Sequence, residues 1–256
     1  MIEKLNTALW FAKRPSFYAH AGALALRKIL PDRDGTNDRR CAEEWAAVRA
    51  VPVAEALRLL GIAGLPPVLD PALIEEGVAQ ARRSAVAMGG PGDLCLLHAV
   101  TALTRARTVI ETGVAYGWSS LAILSAQAKN GGGRLVSVDM PYPKMGNEAF
   151  VGIVVPVRLR GSWTLIREPD RNGLRRAIRL ARGPLDLAHY DSDKSYYGRQ
   201  FAFPLLWSAL RPGGVFISDD IQDNLAFAEF IEQKGVSVAV TESGGKYVGI
   251  CVKPGG

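Results

Sequence analysis

Acidic residues follow two apolar segments in the second half of the 256-residue chain. Asp191 comes directly after the apolar segment 185–190. The pair Asp219 and Asp220 comes directly after the segment 215–218. Parallel strands end at one edge of a sheet, so we expect these three carboxylates to lie close together. Clustered carboxylates repel one another unless a positive charge lies between them, and an all-oxygen set suits Mg²⁺, Mn²⁺ or Ca²⁺. Two interpretations stay open: a cation site, or solvated acids at strand ends.

A turn with two glycines links an apolar segment to a helical one. The segment 108–111 is followed by Gly113 and Gly117, and a helical pattern begins at Trp118. Glycine lets the backbone approach a ligand closely, and the first turn of a helix presents free N–H groups. This pattern favours a nucleotide-type ligand over a purely structural turn.

Asp139 ends the next apolar segment, 22 residues after Gly117. It is placed to accept hydrogen bonds from the ribose hydroxyls of a nicotinamide cofactor or of S-adenosylmethionine. A dinucleotide site requires G-x-G-x-x-G, whereas Gly113 and Gly117 lie four residues apart. The spacing therefore disfavours the nicotinamide alternative.

The chain after residue 107 alternates short apolar runs with helical stretches, which is typical of strand–helix–strand units with a parallel sheet. The pattern predicts strands at 108–111, 135–139, 163–166, 185–190, 215–218, 237–241 and 247–252. It predicts helices at 118–129, 171–182, 196–210 and 225–234. A turn at 243–245 joins the last two strands, so we expect the final strand to be antiparallel.

The first part of the chain has a helical pattern, with helices predicted at about 71–88 and 93–107. We therefore divide the chain into a helical N-terminal extension or cap, 1–92, and a ligand-binding α/β domain, 93–256. The aromatic and basic stretch 10–20 covers the site, packs in a homodimer or touches a membrane surface, and the sequence does not choose among these.

Composition places the chain among ordinary globular proteins, with 48% hydrophobic and 22% charged residues. Eight arginines and two acids lie in 158–182, so this stretch carries 8 − 2 = +6, the whole net charge. A solvated helix face explains that stretch better than a docking face for an anionic substrate carrier, and nucleic acid is not expected as a partner. Cys41, Cys95 and Cys251 are too far apart for a CxxC site, and no signal or membrane span is evident, so we expect a cytoplasmic protein.

The chain from about 93 to 252 resembles class I S-adenosylmethionine-dependent methyltransferases, in particular cation-dependent O-methyltransferases of the catechol and caffeoyl-CoA types. Their E-x-G-x-x-x-G-x-S motif is matched by Glu111, Gly113, Gly117 and Ser119. Their D-x-D-K-x-x-Y segment is matched by Asp191, Asp193, Lys194 and Tyr197. Their D-N pair is matched by Asp219 and Asp220, where Asp replaces Asn as in macrolide-sugar O-methyltransferases.

The resemblance implies a Rossmann-like, doubly wound, mostly parallel seven-stranded sheet with an antiparallel last strand. It implies that S-adenosylmethionine is bound by Glu111, Gly113, Gly117, Trp118, Ser119, Asp139 and Asp191. It implies a divalent cation, Mg²⁺ before Mn²⁺ or Ca²⁺, held by Asp191, Asp219 and Asp220.

The catalytic residues implied are Asp191, Asp193 and Lys194. Lys194 takes the proton of the acceptor hydroxyl or else neutralises the aspartates, and Asp193 is the rival base. His189 is expected to be a packed residue rather than a base. The expected reaction is O-methylation of a small phenol, catechol or sugar. The alternatives are a nicotinamide-dependent oxidoreductase and a metal-independent methyltransferase.

Overall fold

The computed structural model describes residues 7, 9–142 and 145–255. The strands are β1 (Thr108–Thr112), β2 (Arg134–Val138), β3 (Trp163–Ile166), β4 (Leu185–Tyr190), β5 (Leu210–Ser218), β6 (Val238–Ser243) and β7 (Lys246–Val252). The helices are α1 (Tyr18–Arg27), α2 (Thr36–Ala47), α3 (Val53–Leu59), α4 (Pro71–Ala81), α5 (Leu94–Leu103), α6 (Trp118–Lys129), α7 (Asp170–Ala181), α8 (Tyr196–Ala209) and α9 (Ala226–Lys234).

The described strands form one seven-stranded sheet in the order β3-β2-β1-β4-β5-β7-β6. Strands β1 to β5 pair in parallel, whereas β7 is antiparallel to both β5 and β6. The order reverses between β1 and β4, and ligands of open α/β sheets bind beside such a switch point. The predicted Rossmann-like sheet with an antiparallel last strand is confirmed.

Alternating residues of the strands fill two apolar layers, one on each face of the sheet. Val109 of β1 joins a layer with α3, α5 and α6, and the next residue, Ile110, joins a layer with α7, α8 and α9. The predicted bounds of β3 and β4 match the observed ones.

Helix α4 ends at Ala81, seven residues before the predicted end near residue 88. Its N-terminus is fixed as the sequence indicates, because the Asp70 side chain accepts a hydrogen bond from Ala72 N at 3.0 Å. At the other end, the Ser84 hydroxyl donates to Val86 O at 2.7 Å and competes with the helix for backbone partners. Helix α5 is likewise shorter than predicted and begins after the N-cap Asp93.

The described part of the N-terminal extension packs directly on the α/β sheet. Val51 N donates to Val240 O in β6 at 2.8 Å, and Ala46 and Leu57 are buried in the two apolar layers. The Arg33 guanidinium contacts Glu229 of α9 at 2.5 Å. The domain boundary after residue 92 stays a prediction. Among the described helices, none has the length and apolar character that a membrane span requires.

Candidate active site

A cavity of about 770 Å³ lies at the carboxyl edge of β1, β2 and β4. Its floor includes Gly113, Asp139 and Asp191, which the sequence assigns to the site. Phe11, His20, Leu24 and Arg27, from the N-terminal segment, line it as well. Of the three roles left open for the segment 10–20, the structure therefore supports covering of the site.

The glycine turn after β1 brings two backbone segments unusually close. Gly113 has φ +77°, and a Cβ at this position would lie 2.1 Å from the Asp191 carbonyl oxygen. Gly113 N donates to Val138 O at 2.8 Å, so the turn joins the ends of β1, β2 and β4. Only glycine combines this φ with the required space.

Gly117 and Trp118 pack against other parts of the protein and do not line the cavity. Gly117, at φ +92°, packs against Gly152, from which a Cβ would be 2.9 Å away. Trp118 is 6% exposed and lies in the apolar layer with α3 and α5. The described residues that line the cavity include neither Gly117 nor Trp118. Their predicted contact with the cofactor stays a prediction.

Glu111 is fully buried beneath the turn, where three serine hydroxyls surround its carboxylate. Ser119 Oγ donates at 2.9 Å, Ser137 Oγ donates at 2.6 Å, and Ser120 Oγ donates as well. Burial raises the pKa of Glu111, although the charge of His189 and these hydroxyls act in the opposite direction. Glu111 and Ser119 thus brace the turn from below, and neither is among the described cavity-lining residues.

Asp139 borders the cavity at the end of β2, where one carboxylate oxygen contacts the glycine turn and the other contacts a guanidinium group. Asp139 Oδ1 accepts a hydrogen bond from Val114 N at 2.8 Å. The other oxygen, Oδ2, is paired with the Arg167 guanidinium. This ion pair brings Arg167, which follows β3, beside Asp139.

Asp191 lies opposite Gly113, and one of its carboxylate oxygens faces the Lys194 ammonium. The distance from Lys194 Nζ to Asp191 Oδ1 is 3.2 Å, and the Asp191 side chain is 33% exposed. Burial and the nearby Asp219 charge raise the pKa of Asp191 to about 6, against the opposing charge of Lys194. Asp191 is therefore a carboxylate at pH 7 that takes up a proton more readily than an ordinary aspartate.

Lys194 is held between acids and is unsuited to the role of base. Its ammonium pairs with Asp220 as well as with Asp191. Burial lowers the pKa of Lys194, but these two carboxylates outweigh burial and raise it above its usual range. Of the two roles considered for Lys194, these contacts favour charge neutralisation, and its catalytic role stays a prediction.

Asp220 has a second ammonium partner that the motifs did not indicate. Lys246 Nζ, at the start of β7, lies 3.1 Å from Asp220 Oδ1, and the Asp220 side chain is only 5% exposed. Burial raises the pKa of Asp220, but the hydrogen bonds and charges of Lys194 and Lys246 bring it below its usual value. No sequence signal could have found this pair, because 26 residues and a strand crossing separate its members.

Asp219 and His189 form another pair behind the cavity. His189 Nε2 lies 3.2 Å from Asp219 Oδ1, and the His189 side chain is fully buried, as the sequence predicts. Burial lowers the pKa of His189, but Asp219, Asp191 and Glu111 raise it to about 9. The protonated imidazole therefore balances Asp219 at neutral pH.

Asp193, the rival base, is bound by Arg27 of α1. Arg27 Nη1 lies 3.2 Å from Asp193 Oδ1, and Ser195 Oγ donates to the same oxygen at 2.8 Å. Although burial acts against it, the Arg27 pair lowers the pKa of Asp193. A carboxylate held in this way is a weak proton acceptor, so Asp193 fits the anchoring of α1 better than catalysis.

The three carboxylates proposed for the cation do not fit one as they are arranged. Asp220 faces two ammonium groups, Asp191 faces one, and Asp219 faces an imidazolium. Across residues 7, 9–142 and 145–255, no group of three or more His, Cys, Asp or Glu side chains is arranged to hold a metal ion. A cation would have to displace Lys194 to reach the carboxylates.

A family model described as a methyltransferase domain matches residues 110–221. The match runs from β1 to the residue after Asp220 and includes the glycine turn, Asp139 and the three acids. Residues 110–221, fewer than half of the 256 residues, are thus similar to a methyltransferase domain. No curated protein matches the sequence.

Solved structures share the methyltransferase fold at low sequence identity. The O-methyltransferase from Bacillus cereus, in complex with SAH, is 19% identical, with a TM-score of 0.54 over 83% of this chain and 100% of that chain. The O-methyltransferase TomG from Streptomyces achromogenes, involved in tomaymycin synthesis and bound to SAM, is 22% identical, with a TM-score of 0.51 over 82% and 98%. The SAH-bound methyltransferase PaMTH1 from Podospora anserina is 16% identical, with a TM-score of 0.54 over 72% and 89%.

Substitution of Gly113 tests whether the turn after β1 binds the expected cofactor. We expect Gly113→Ala to weaken binding of S-adenosylhomocysteine at least tenfold, because the added Cβ collides with the Asp191 backbone. Isothermal titration calorimetry measures this. Gly89→Ala is the matched control, since Gly89 lines the same cavity and a Cβ there meets no atom within 4 Å. Equal losses in both variants, or none in either, would contradict the assignment.

Asp170, at the start of α7, makes stability depend on pH. Burial raises its pKa to about 6, although Ser192 Oγ donates to it at 2.5 Å. The folded state binds this proton more tightly than the unfolded chain, so stability falls as pH rises from about 4 to 6. We expect Asp170→Asn to gain about 1–2 kcal/mol over wild type at pH 7.5, less than the full shift because Asp170 borders the open cavity.

Thermal and urea unfolding at pH 4.5 and pH 7.5 measure this difference. The exposed Asp32→Asn is the control and is expected to change stability equally at both pH values. An advantage of Asp170→Asn that is the same at both pH values would show that the carboxyl of Asp170 is not destabilised by burial.

Proposed function

We propose that the protein is an O-methyltransferase that transfers the methyl group of S-adenosylmethionine to a hydroxyl of a small aromatic molecule. The observation that carries the proposal is one cavity in which a cofactor-type turn, a proton-accepting carboxylate and an apolar wall meet. The names of the similar solved structures support oxygen as the acceptor atom, because two of them are O-methyltransferases.

The residues around the glycine turn suit S-adenosylmethionine. A cavity of about 770 Å³ is in the usual range for small-molecule sites. Gly113 leaves the floor open where a side chain would fill it, and Asp139 stands where ribose hydroxyls donate hydrogen bonds. When bound, S-adenosylmethionine supplies an electrophilic methyl group, whose bond to sulfur breaks as a bond to the acceptor oxygen forms.

The rest of the cavity favours an aromatic acceptor over a sugar. Its described wall is rich in aromatic, aliphatic and thioether side chains, namely Phe11, Leu24, Met88, Met140, Tyr142, Met145 and Phe201. Such side chains pack against a flat ring, whereas a sugar requires a closer set of hydrogen-bonding groups. Of the two acceptor classes expected from the sequence, the phenol is therefore preferred.

Asp191 is the group placed to take the acceptor's proton. It lines the cavity beside Gly113, and its pKa of about 6 leaves it ionised at neutral pH yet able to hold a proton. Arg27 and Leu24 of α1 line the same cavity. Alignment of donor and acceptor within this cavity supplies the remaining rate acceleration.

The divalent cation expected from the resemblance is not part of the proposal. The carboxylates that would hold it are paired with Lys194, Lys246 and His189. No step is therefore assigned to a cation, and the positive charge near the acceptor oxygen comes from Lys194.

The proposal is tested by binding and turnover in the same preparation. We expect calorimetry to show binding of S-adenosylhomocysteine and none of NAD⁺, and mass spectrometry to show a gain of one methyl group on members of a panel of phenols. Asp191→Asn should lower kcat at least a hundredfold, because it removes the carboxylate that accepts the proton, with the affinity for S-adenosylhomocysteine kept within about threefold.

Asp32→Asn, an exposed substitution of the same kind, is the control and should keep the wild-type rate. Absence of S-adenosylhomocysteine binding would refute the proposed function. Unchanged turnover in Asp191→Asn would remove Asp191 from the role of base, and methylation of sugars in preference to phenols would overturn the acceptor class.

A further inference from the structure

Three positively charged side chains contact Asp220, two at its carboxylate and one at its carbonyl oxygen. The Asp220 carboxylate pairs with Lys194, which precedes α8, and with Lys246 of β7. Arg199, fully buried, donates through Nη2 to the carbonyl oxygens of Asp219 at 3.1 Å and Asp220 at 2.7 Å. This arrangement around Asp220 is called the cationic cage below.

The cationic cage fixes Asp220 in an uncommon backbone conformation. Asp220 has φ +51° and ψ +41°, a left-handed backbone conformation that residues other than glycine and asparagine rarely adopt. The hydrogen bond from Arg199 to its carbonyl and the two ammonium contacts to its carboxylate all depend on that conformation. The residue is therefore held in place as a bridge between Lys194 and Lys246.

The Lys246 ammonium group accompanies a difference from the family motif, namely Asp at position 220 in place of Asn. The catechol and caffeoyl-CoA types have Asn where this chain has Asp220, so the site carries one more negative charge than theirs. Lys246 lies outside all three motifs and supplies one extra positive charge at 3.1 Å. The two added charges balance each other, and both oxygens of Asp220 have an ammonium partner that a divalent cation would have to displace.

Lys194 reaches from the cationic cage to the cavity. It lines the cavity with 39% of its side chain exposed, whereas the described cavity-lining residues do not include Lys246. Its ammonium thus stands between Asp220 behind it and the acceptor position in front of it, beside Asp191 at 3.2 Å. A positive charge so placed stabilises an oxygen that becomes anionic as its proton leaves.

We infer that Lys194, fixed by Asp220 and Lys246, supplies at the acceptor oxygen the positive charge for which cation-dependent relatives use a metal ion. The inference rests on the proposed function. The hydroxyl proton passes to the Asp191 carboxylate, the oxygen forms a bond to the methyl carbon as the carbon–sulfur bond breaks, and Lys194 stays protonated throughout. Lys246 is a positioning residue that keeps Asp220 from accepting a cation.

The first test is calorimetric titration of Mn²⁺ and of Mg²⁺ into chelator-treated protein without acceptor. We expect no saturable binding to wild type up to about 1 mM. Lys246→Met should bind Mn²⁺ at least tenfold more tightly than wild type, because its loss frees one oxygen of Asp220. Lys129→Met, which removes the same charge at the exposed end of α6, should behave as wild type. Sub-millimolar binding of Mn²⁺ to wild type would overturn the inference.

The second test is methyl transfer in the presence of EDTA. We expect the wild-type rate to stay within twofold, Lys194→Met to lose at least a hundredfold, and the charge-preserving Lys194→Arg to stay within about tenfold. Thermal unfolding and S-adenosylhomocysteine affinity are measured for each variant to separate loss of fold from loss of charge. Equal rates for Lys194→Met and Lys194→Arg, or abolition of wild-type turnover by EDTA, would overturn the inference.

The two proposals fail in distinguishable ways. Absence of S-adenosylhomocysteine binding contradicts the proposed function whatever the metal titration gives. Binding of the cofactor product together with metal-dependent turnover upholds the proposed function and contradicts the inference about Lys194.

Discussion

Negative charge at the carboxyl edge of the sheet has to be balanced inside the protein, and the rest of the site depends on how this is done. Five acids at this edge each face a positive side chain. The pairs are Asp139 with Arg167, Asp191 with Lys194, Asp193 with Arg27, Asp219 with His189, and Asp220 with Lys194 and Lys246. Buried carboxylates without such partners would destabilise the fold or remain protonated.

These pairs also join distant parts of the chain to the cavity. The Arg27 pair brings α1 over the cavity, so that the same contact that neutralises Asp193 supplies part of the acceptor wall. The Lys246 pair ties the antiparallel strand β7 to the acids that follow β5. The interactions that balance charge therefore also help to form the cavity, and α1 lines it together with the ends of the strands.

Local patterns predicted the parts of the molecule that local chemistry determines. The bounds of β3, β4 and α6 follow from apolar runs and from the glycine turn, and the acids appear at the strand ends where the spacing puts them. Asp139 and Asp191 line the cavity as expected. The end of α4 was missed because one side chain, Ser84, decides it through a hydrogen bond that periodicity does not register.

Partners far apart in the chain could not be predicted. Lys246 lies outside every motif, and Arg27 pairs across 166 residues. The choice between the two roles of Lys194 could not be made from sequence for the same reason, since its protonation depends on Asp220, whose position only the fold provides. Glu111 and Ser119 belong to the E-x-G-x-x-x-G-x-S motif. Their hydrogen bond at 2.9 Å stabilises the glycine turn from beneath the cavity, and the described cavity-lining residues include neither of them.

A crystal structure with S-adenosylhomocysteine, grown in excess Mn²⁺ and measured at an anomalous wavelength, tests the central claim most directly. The account predicts S-adenosylhomocysteine beside Gly113 and Asp139, Lys194 in contact with Asp220, and no anomalous peak among Asp191, Asp219 and Asp220. A manganese peak between these three carboxylates, with Lys194 displaced from Asp220, would contradict it.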